Sequence, residues 1–246
     1  MRLLALPGVF RPPSDAWMLA RSMDGCALGP QSAVLDLCTG SGILAVHAAL
    51  RGAGRVVAVD ISRRAVAAAR LNGWLNGVRV DARRGDLFAP VTGERFDLIV
   101  SNPPYLPGPC ERLPERGRAR AWEGGPRGRA FLDRICERAP AHLRPGASVL
   151  LVHSSLCGEQ ETVARLAAGG LVAEVLARHP GPLGPILGAR AAWLRAQGLL
   201  GEDEREEIVI VRGRRVPAQR PGGAAPDVQA SDGHRRTVRL QRQMSW

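Results

Sequence analysis

Asn102-Pro103-Pro104-Tyr105 directly follows the apolar run 96–100, and its residue types suit it to holding a flat amino group. An amino nitrogen bonded to a carbonyl or an aromatic ring has a delocalised lone pair. It attacks poorly unless both N–H bonds are held and the lone pair is aimed at an electrophile. Asn102 Oδ1 and a backbone carbonyl of the proline pair can each accept one N–H. Pro103 pushes Asn102 away from helical φ/ψ, and both prolines fix their own φ, so the acceptors are set before a substrate arrives. Tyr105 can stack on a planar group. A bare tetrapeptide of this kind reads better as a Pro-Pro turn, and only what precedes it changes that reading.

Residues 34–37 read as a short buried strand that runs into Asp36-Leu37-Cys38-Thr39-Gly40-Ser41-Gly42, before an apolar helix-like stretch at 43–50. A strand, a glycine turn and a helix start make a nucleotide-type site. Gly40 and Gly42 permit close backbone approach, and the helix leaves free N–H groups at its beginning. A second strand, 55–59, ends in Asp60, eighteen residues after Gly42, near the roughly 20 expected of a carboxylate that binds ribose hydroxyls. Asp60 stands before Ser62 and could instead cap the next helix. Residues 78–84 lead to Gly85-Asp86-Leu87, where a third carboxylate could take an adenine amino group.

In that order and spacing, 36–42, Asp60, Asp86 and Asn-Pro-Pro-Tyr resemble an S-adenosylmethionine-dependent class I methyltransferase of the amino-methylating kind, a Rossmann-like α/β fold. Val9-Phe10-Arg11-Pro12-Pro13-Ser14-Asp15 resembles the N-terminal signature of the HemK-like glutamine N5-methyltransferases. Trp122-Glu123-Gly124-Gly125 resembles the Gly-Gly segment that follows their Asn-Pro-Pro-Tyr. The resemblance covers 6–215. It implies that Asp36 and the glycine turn, with Cys38, Gly40 and Gly42, bind the methionine end of S-adenosyl-L-methionine. Asp60, with Ile61 beside it, then binds the ribose, Asp86 and Leu87 flank the adenine, and Asp15 and Asn102 complete the cofactor site. Asn102, Pro103, Pro104 and Tyr105 grip the amide nitrogen, and no metal is implied.

There are departures. Cys38 stands where the family's motif has a first glycine, which a small side chain tolerates at negative φ but not at strongly positive φ. Ala16 stands where a Ser or Thr usually follows the Asp, so one cofactor hydroxyl contact is expected to be missing. The chain starts almost at the signature, without the helical N-terminal domain of the bacterial release-factor enzymes. It is similar to the shorter branch, whose members act with a small zinc-binding activator.

Composition agrees with one catalytic domain. A chain of 246 residues, 45% hydrophobic, can bury a sizeable single core. No apolar run reaches membrane-spanning length and the start is too short for a signal peptide, so the cytoplasm is the default expectation. Five cysteines, odd in number and without a C-x-x-C pair, suggest neither a disulfide framework nor a zinc site. The net charge of +11 invites a nucleic-acid partner, but all 34 basic residues are Arg, alongside abundant Ala, Gly and Pro, which reads as codon bias and a scattered solvated surface. A local exception is the Arg-rich loop 107–129, placed after the amine clamp, where it should help form the substrate entrance.

The rest of the chain is scaffold. Helices are expected at 130–142, 159–168 and 186–197, and strands at 148–152, 171–178 and 207–212, giving a seven-stranded, mostly parallel sheet with an antiparallel last hairpin and helices on both faces. His153, ending a strand, reads as structural. Residues 1–32 form an N-terminal cap segment carrying the Phe-x-Pro-x-x-Asp signature and 33–216 the methyltransferase domain. Residues 217–246, rich in Arg, Pro and Gly, read as a disordered tail. The first acceptor expected is a protein glutamine, as in a release factor or a ribosomal protein. An adenine N6 amine in DNA or RNA and a small molecule are the enzymatic alternatives, and a non-catalytic cofactor-binding module is weighed last.

Overall fold

The computed structural model describes residues 1–4 and 14–217. Phe10 and Pro12 of the N-terminal signature, and the tail from residue 218 on, lie outside the described residues.

The chain alternates helix and strand. Helix α1 (Ser14–Ser22) precedes β1 (Ala33–Leu37), α2 (Ile43–Leu50), β2 (Arg55–Asp60), α3 (Arg63–Leu75), β3 (Asp81–Arg84) and β4 (Phe96–Ser101). Then come α4 (Ala130–Arg138), β5 (Leu143–Ser154), α5 (Glu159–Ala168), β6 (Leu171–Pro182), two short helices α6 (Pro185–Gly188) and α7 (Ala191–Ala196), and β7 (Arg205–Arg215). The seven strands form one sheet in the order β3-β2-β1-β4-β5-β7-β6. Strands β1 to β5 pair in parallel, and β7 runs antiparallel to both of its neighbours, β5 and β6.

Side-chain alternation explains how a sheet can be buried on both faces. Leu35, Leu37, Val57, Val59, Ile99 and Leu151 point to one face, where α4 and α5 supply Ile135 and Leu166. Val34, Val56, Ala58, Leu98, Val100 and Leu150 point to the other, against Leu19 of α1, Leu44 of α2 and Val66 and Ala69 of α3. Helix α1 is thus part of the main core: its Leu19 and Ala20 are buried, as is Met23 just beyond its end.

Several elements differ from their sequence-based bounds. The strand expected at 78–84 begins only at Asp81 because Val78 N–H is spent on the Gly73 carbonyl, closing α3 with left-handed Gly77 beyond its end. The single helix expected at 186–197 is two. Between them stands Arg190, whose guanidinium leaves for the Pro107 carbonyl at 2.7 Å and for Glu123. The strands expected at 148–152 and 171–178 are longer, 12 residues each: β6 pairs with β7 along its length, while β5 begins at Leu143 opposite Phe96 of β4 and ends with His153 and Ser154 opposite β7.

The strand order places β1 between β2 and β4, so successive connections leave β1 in opposite directions. A crevice opens at the carboxyl ends of β1 and β4, where ligands of open α/β sheets bind.

Candidate functional site

That crevice is a cavity of about 1220 Å³. Its two sides are bonded together at the sheet edge. Leu37 pairs with Ser101, and the Ser101 hydroxyl donates to the Leu37 carbonyl at 2.8 Å. Cys38 and Asn102 are the next residues on the two strands, so the glycine turn and the Asn-Pro-Pro-Tyr element leave the sheet at the same level.

The glycine turn is held from three directions. Thr39 N–H donates to the Val59 carbonyl, Gly40 N–H to Asp60 Oδ2 at 3.0 Å, and the buried Asn72 donates to the Ser41 carbonyl at 2.8 Å. Cys38, Gly40 and Gly42 have φ of 57°, 53° and 82°. Cys38 therefore adopts the left-handed conformation for which glycine is the unstrained residue. A Cβ on Gly42 would stand 2.7 Å from Ala69 Cα, so glycine there lets α2 approach α3.

Asp36 lies behind the turn, outside the cavity lining. Its Oδ2 accepts the Thr39 hydroxyl at 2.5 Å and Ala45 N–H at 3.1 Å, while Oδ1 is buried with no hydrogen-bond partner among the described residues. Full burial pushes its pKa up to about 7, against the pull of Thr39 and Ala45.

Asp60 faces the cavity and braces the backbone on both sides of it. Its Oδ1 accepts Ser62 N–H at 2.8 Å, with Ser62 itself the N-cap of α3, and its Oδ2 holds Gly40. Two backbone bonds leave lone pairs on the carboxylate for a diol. Burial raises its pKa, and the two backbone donors and then the Arg120 charge oppose that rise. Beyond it lie Ile61, Asp86 and Leu87, all in the cavity wall. Asp86 forms an ion pair with Arg134, and Leu87 is buried at φ 47°.

On the other side, Asn102 is half-buried in the cavity wall, and its side chain makes no hydrogen bond among the described residues. Pro103 is buried and Pro104 half-buried beside it. Tyr105 is 6% exposed, packed with Leu132 and Cys157, and its hydroxyl donates to Asp15 Oδ2. Burial first, and then Asp15, hold the phenol pKa well above its usual value. The stacking face foreseen for Tyr105 is thus largely enclosed. Ala16 is buried in the core and also borders the cavity.

Asn-Pro-Pro-Tyr continues into Leu106, which bridges Glu123 in parallel, with Leu106 N–H on the Trp122 carbonyl at 2.7 Å and Gly124 N–H on the Leu106 carbonyl at 3.0 Å. The Gly-Gly segment is thereby zipped to the clamp. Gly128, at φ 69°, closes this loop: a Cβ there would lie 2.2 Å from the Tyr105 carbonyl oxygen. The loop contributes Arg118, Arg120 and Trp122 to the cavity wall, as its position after the clamp foretold.

His153 is fully buried between the Ser154 carbonyl and the Thr162 hydroxyl, and desolvation takes its pKa down to about 4. It lies outside the cavity lining, as a structural residue would. Sequence reasoning missed Asn72, Arg120 in its action on Asp60, and Glu206 in the cavity wall. None sits in a motif, and each arrives through long-range packing. Among the described residues no cluster of His, Cys, Asp or Glu could hold a metal ion, and no helix is long and apolar enough to cross a membrane.

Residues 2–112 match the family model "Methyltransferase small domain". The chain is 35% identical over 178 residues to "Putative protein N5-glutamine methyltransferase" of Methanocaldococcus jannaschii, covering 72% of this chain and 88% of that protein. The chain belongs to the HemK-like family of class I methyltransferases. It is 36% identical over 180 residues to the release factor glutamine methyltransferase of Mycolicibacterium smegmatis, covering 70% of this methyltransferase but 63% of that enzyme's length. Among solved structures, the E. cuniculi Mtq2–Trm112 complex, described as responsible for methylation of eRF1, matches with a TM-score of 0.58 at 22% identity. It covers 85% of this chain and 99% of that one, a likeness of fold.

Proposed function

We propose that this methyltransferase transfers a methyl group from S-adenosyl-L-methionine to the side-chain amide nitrogen of a protein glutamine. The observation that carries this reading is Asn102: an amide side chain with no hydrogen-bond partner among the described residues, in one cavity with Asp60 and the glycine turn.

The residues present fit the cofactor. Asp60 has lone pairs left for ribose hydroxyls, Ile61, Leu87 and Phe131 line the wall for an apolar ring, and Asp36 braces the glycine turn from behind through Thr39 and Ala45. When bound, S-adenosyl-L-methionine supplies an electrophilic methyl on a positively charged sulfur. Asn102 Oδ1 and the Pro103 carbonyl accept the two amide N–H bonds and turn the nitrogen lone pair across the crevice. Pro103 and Pro104 restrict the backbone, so little ordering remains to be done when the acceptor enters. Tyr105 acts as a wall and fixes Asp15. The nitrogen becomes acidic as it is alkylated, so water can take its proton.

Residues 33–216 are the catalytic domain in this proposal, with α1 packed into its core. The name of the Mycolicibacterium smegmatis relative makes a release factor the first acceptor to try. A small activator subunit, of the kind paired with the E. cuniculi protein, is a partner to seek by co-purification. Incubating the chain with methyl-labelled cofactor and cell lysate, then with protease or nuclease, tests the reading: label should be lost to protease, and replacing the acceptor's glutamine by alanine should abolish it. A second reading, methylation of an adenine amine, draws on Arg118 and Arg120 in the cavity wall, where phosphates could bind. Nuclease-sensitive label would replace the first reading with this one.

A further inference from the structure

Glu206 lies near the start of β7 and belongs to the wall of the same cavity as Asn102. Antiparallel pairing sets Ile208 opposite Ser154, the last residue of β5, so Glu206 stands just beyond the carboxyl end of β5. Since β5 neighbours β4, this is the edge from which Asn102 departs.

The side chain is 8% exposed, and its two oxygens have different fates. Oε1 accepts the Gly184 N–H at 3.2 Å, which anchors the turn entering α6. Oε2 is buried with no hydrogen-bond partner among the described residues. A buried carboxylate oxygen left unpaired is costly, and the Gly184 bond does not account for it. Burial raises the carboxyl pKa, opposed by the Ser154 hydroxyl, which approaches the carboxylate without meeting hydrogen-bond geometry, and by Gly184 N–H, and the Asp15 charge adds to the rise.

The cavity wall carries charges of both signs. Its arginines are Arg64, Arg84, Arg118, Arg120 and Arg134; of these, Arg120 acts on Asp60, Arg134 pairs with Asp86, and Arg84 donates to the Ile61 carbonyl. These three contacts lie toward the end assigned to the nucleoside. The opposite end presents Asp15 and Glu206 beside Tyr105, and Asp15 is already engaged by the Tyr105 and Ser14 hydroxyls. Glu206 Oε2 is the acceptor left open there, and an occupant of that end that brings a hydrogen-bond donor would satisfy it.

We infer that Glu206 is a substrate-binding residue: its Oε2 accepts a hydrogen bond from an N–H group of the acceptor molecule and so seats the methylated nitrogen against Asn102. This rests on, and deepens, the reading of Asn102 as the amine clamp.

Steady-state methylation of a glutamine-centred peptide and of an adenine-containing single-stranded oligonucleotide, with wild type, Glu206→Ala and Glu206→Gln, tests it, alongside calorimetric titration of each variant with S-adenosyl-L-methionine. Losing a hydrogen bond to a charged group should raise KM for the acceptor about tenfold or more in Glu206→Ala. Cofactor affinity should not move, kcat should change much less than KM, and Glu206→Gln should recover most of the loss, because its amide oxygen can still accept an N–H. An acceptor KM unchanged within about twofold, or a loss of cofactor affinity equal to the loss in KM, overturns the inference. Failure of Glu206→Gln to recover while it folds and binds cofactor as wild type does also overturns it. Wild type that methylates neither probe overturns the clamp reading itself, and this inference with it. Turnover of one probe by a Glu206→Ala variant at wild-type KM overturns this inference alone.

Discussion

The Ser101 hydroxyl donates to the Leu37 carbonyl at 2.8 Å, and the next residues along the two strands are Asn102 and Cys38. One bond therefore fixes the relative height of the amine clamp and the cofactor turn. The register is parallel and both strands are buried on both faces, so neither side can slip without moving its whole set of core side chains to the wrong face. The chemistry is placed by the sheet, and the loops carry only the groups.

Asn102→Ala should separate chemistry from cofactor binding. Among the described residues the side chain makes no hydrogen bond, so removing it should leave the fold in place and delete one acceptor for the reacting nitrogen. We expect kcat to fall about a hundredfold, the scale associated with mispositioned reactants, with the cofactor dissociation constant unchanged. Titration calorimetry beside turnover measures both, and undiminished turnover would remove Asn102 from the clamp.

Asp60→Ala should do the reverse. Besides ribose hydroxyls, the carboxylate holds Gly40 N–H and Ser62 N–H, so its loss also loosens the glycine turn. Hydrogen bonds to a charged group are worth about 1.5–3 kcal/mol, so the cofactor dissociation constant should rise about tenfold to a hundredfold, with turnover recovered at saturating cofactor. An unaltered dissociation constant would show that Asp60 serves the turn and α3 alone.

Cys38 stores strain that a pair of substitutions can isolate. At φ 57° a Cβ is unfavourable by about 1–2 kcal/mol, and glycine carries no such cost. Cys38→Gly and Cys38→Ala both lose the sulfur's packing against the core, so their difference reports the backbone. The glycine variant should be more stable than the alanine variant by about 1 kcal/mol in urea denaturation, the opposite of their order within a helix.

Much of this site is legible in the residues alone, because its parts are local. Asp36 to Gly42 is a strand, turn and helix start within a few residues, Asp60 is a strand end, and proline restricts Asn102 by covalent geometry. Helix α5 lies at 159–168 as its spacing predicts, since capping and periodicity are local too. What stayed hidden depends on contacts far along the chain. Cys38 is compatible with either sign of φ until Gly40 is bonded to Asp60. Tyr105 reads as an exposed stacking face until Asp15, 90 residues away, takes its hydroxyl. The helix at 186–197 breaks because Arg190 is recruited by a loop 83 residues upstream. Glu206 has no motif at all, and its place in the cavity follows from the pairing of β7 with β5.

His153 should make stability depend on pH in a defined window. Burial keeps the imidazole neutral, with a pKa of about 4 in the folded chain against an ordinary 6.5. Between those values the unfolded chain binds the proton and the folded chain does not. The contribution of His153 is therefore fully present above about pH 6.5, is lost progressively as pH falls toward 4, and changes no further below that. The total change is on the order of 3 kcal/mol at most. Asp36 works in the opposite direction over an overlapping range: its pKa is raised to about 7 in the folded chain, so its cost appears as pH rises. Wild type alone would show only the sum. The comparison that isolates His153 is denaturant unfolding of wild type and His153→Gln at pH 7 and at pH 4.5. The stability lost on acidification should be smaller in the variant by roughly 2–3 kcal/mol. Equal losses in the two proteins would mean that the histidine takes up its proton without leaving the Ser154 carbonyl and the Thr162 hydroxyl.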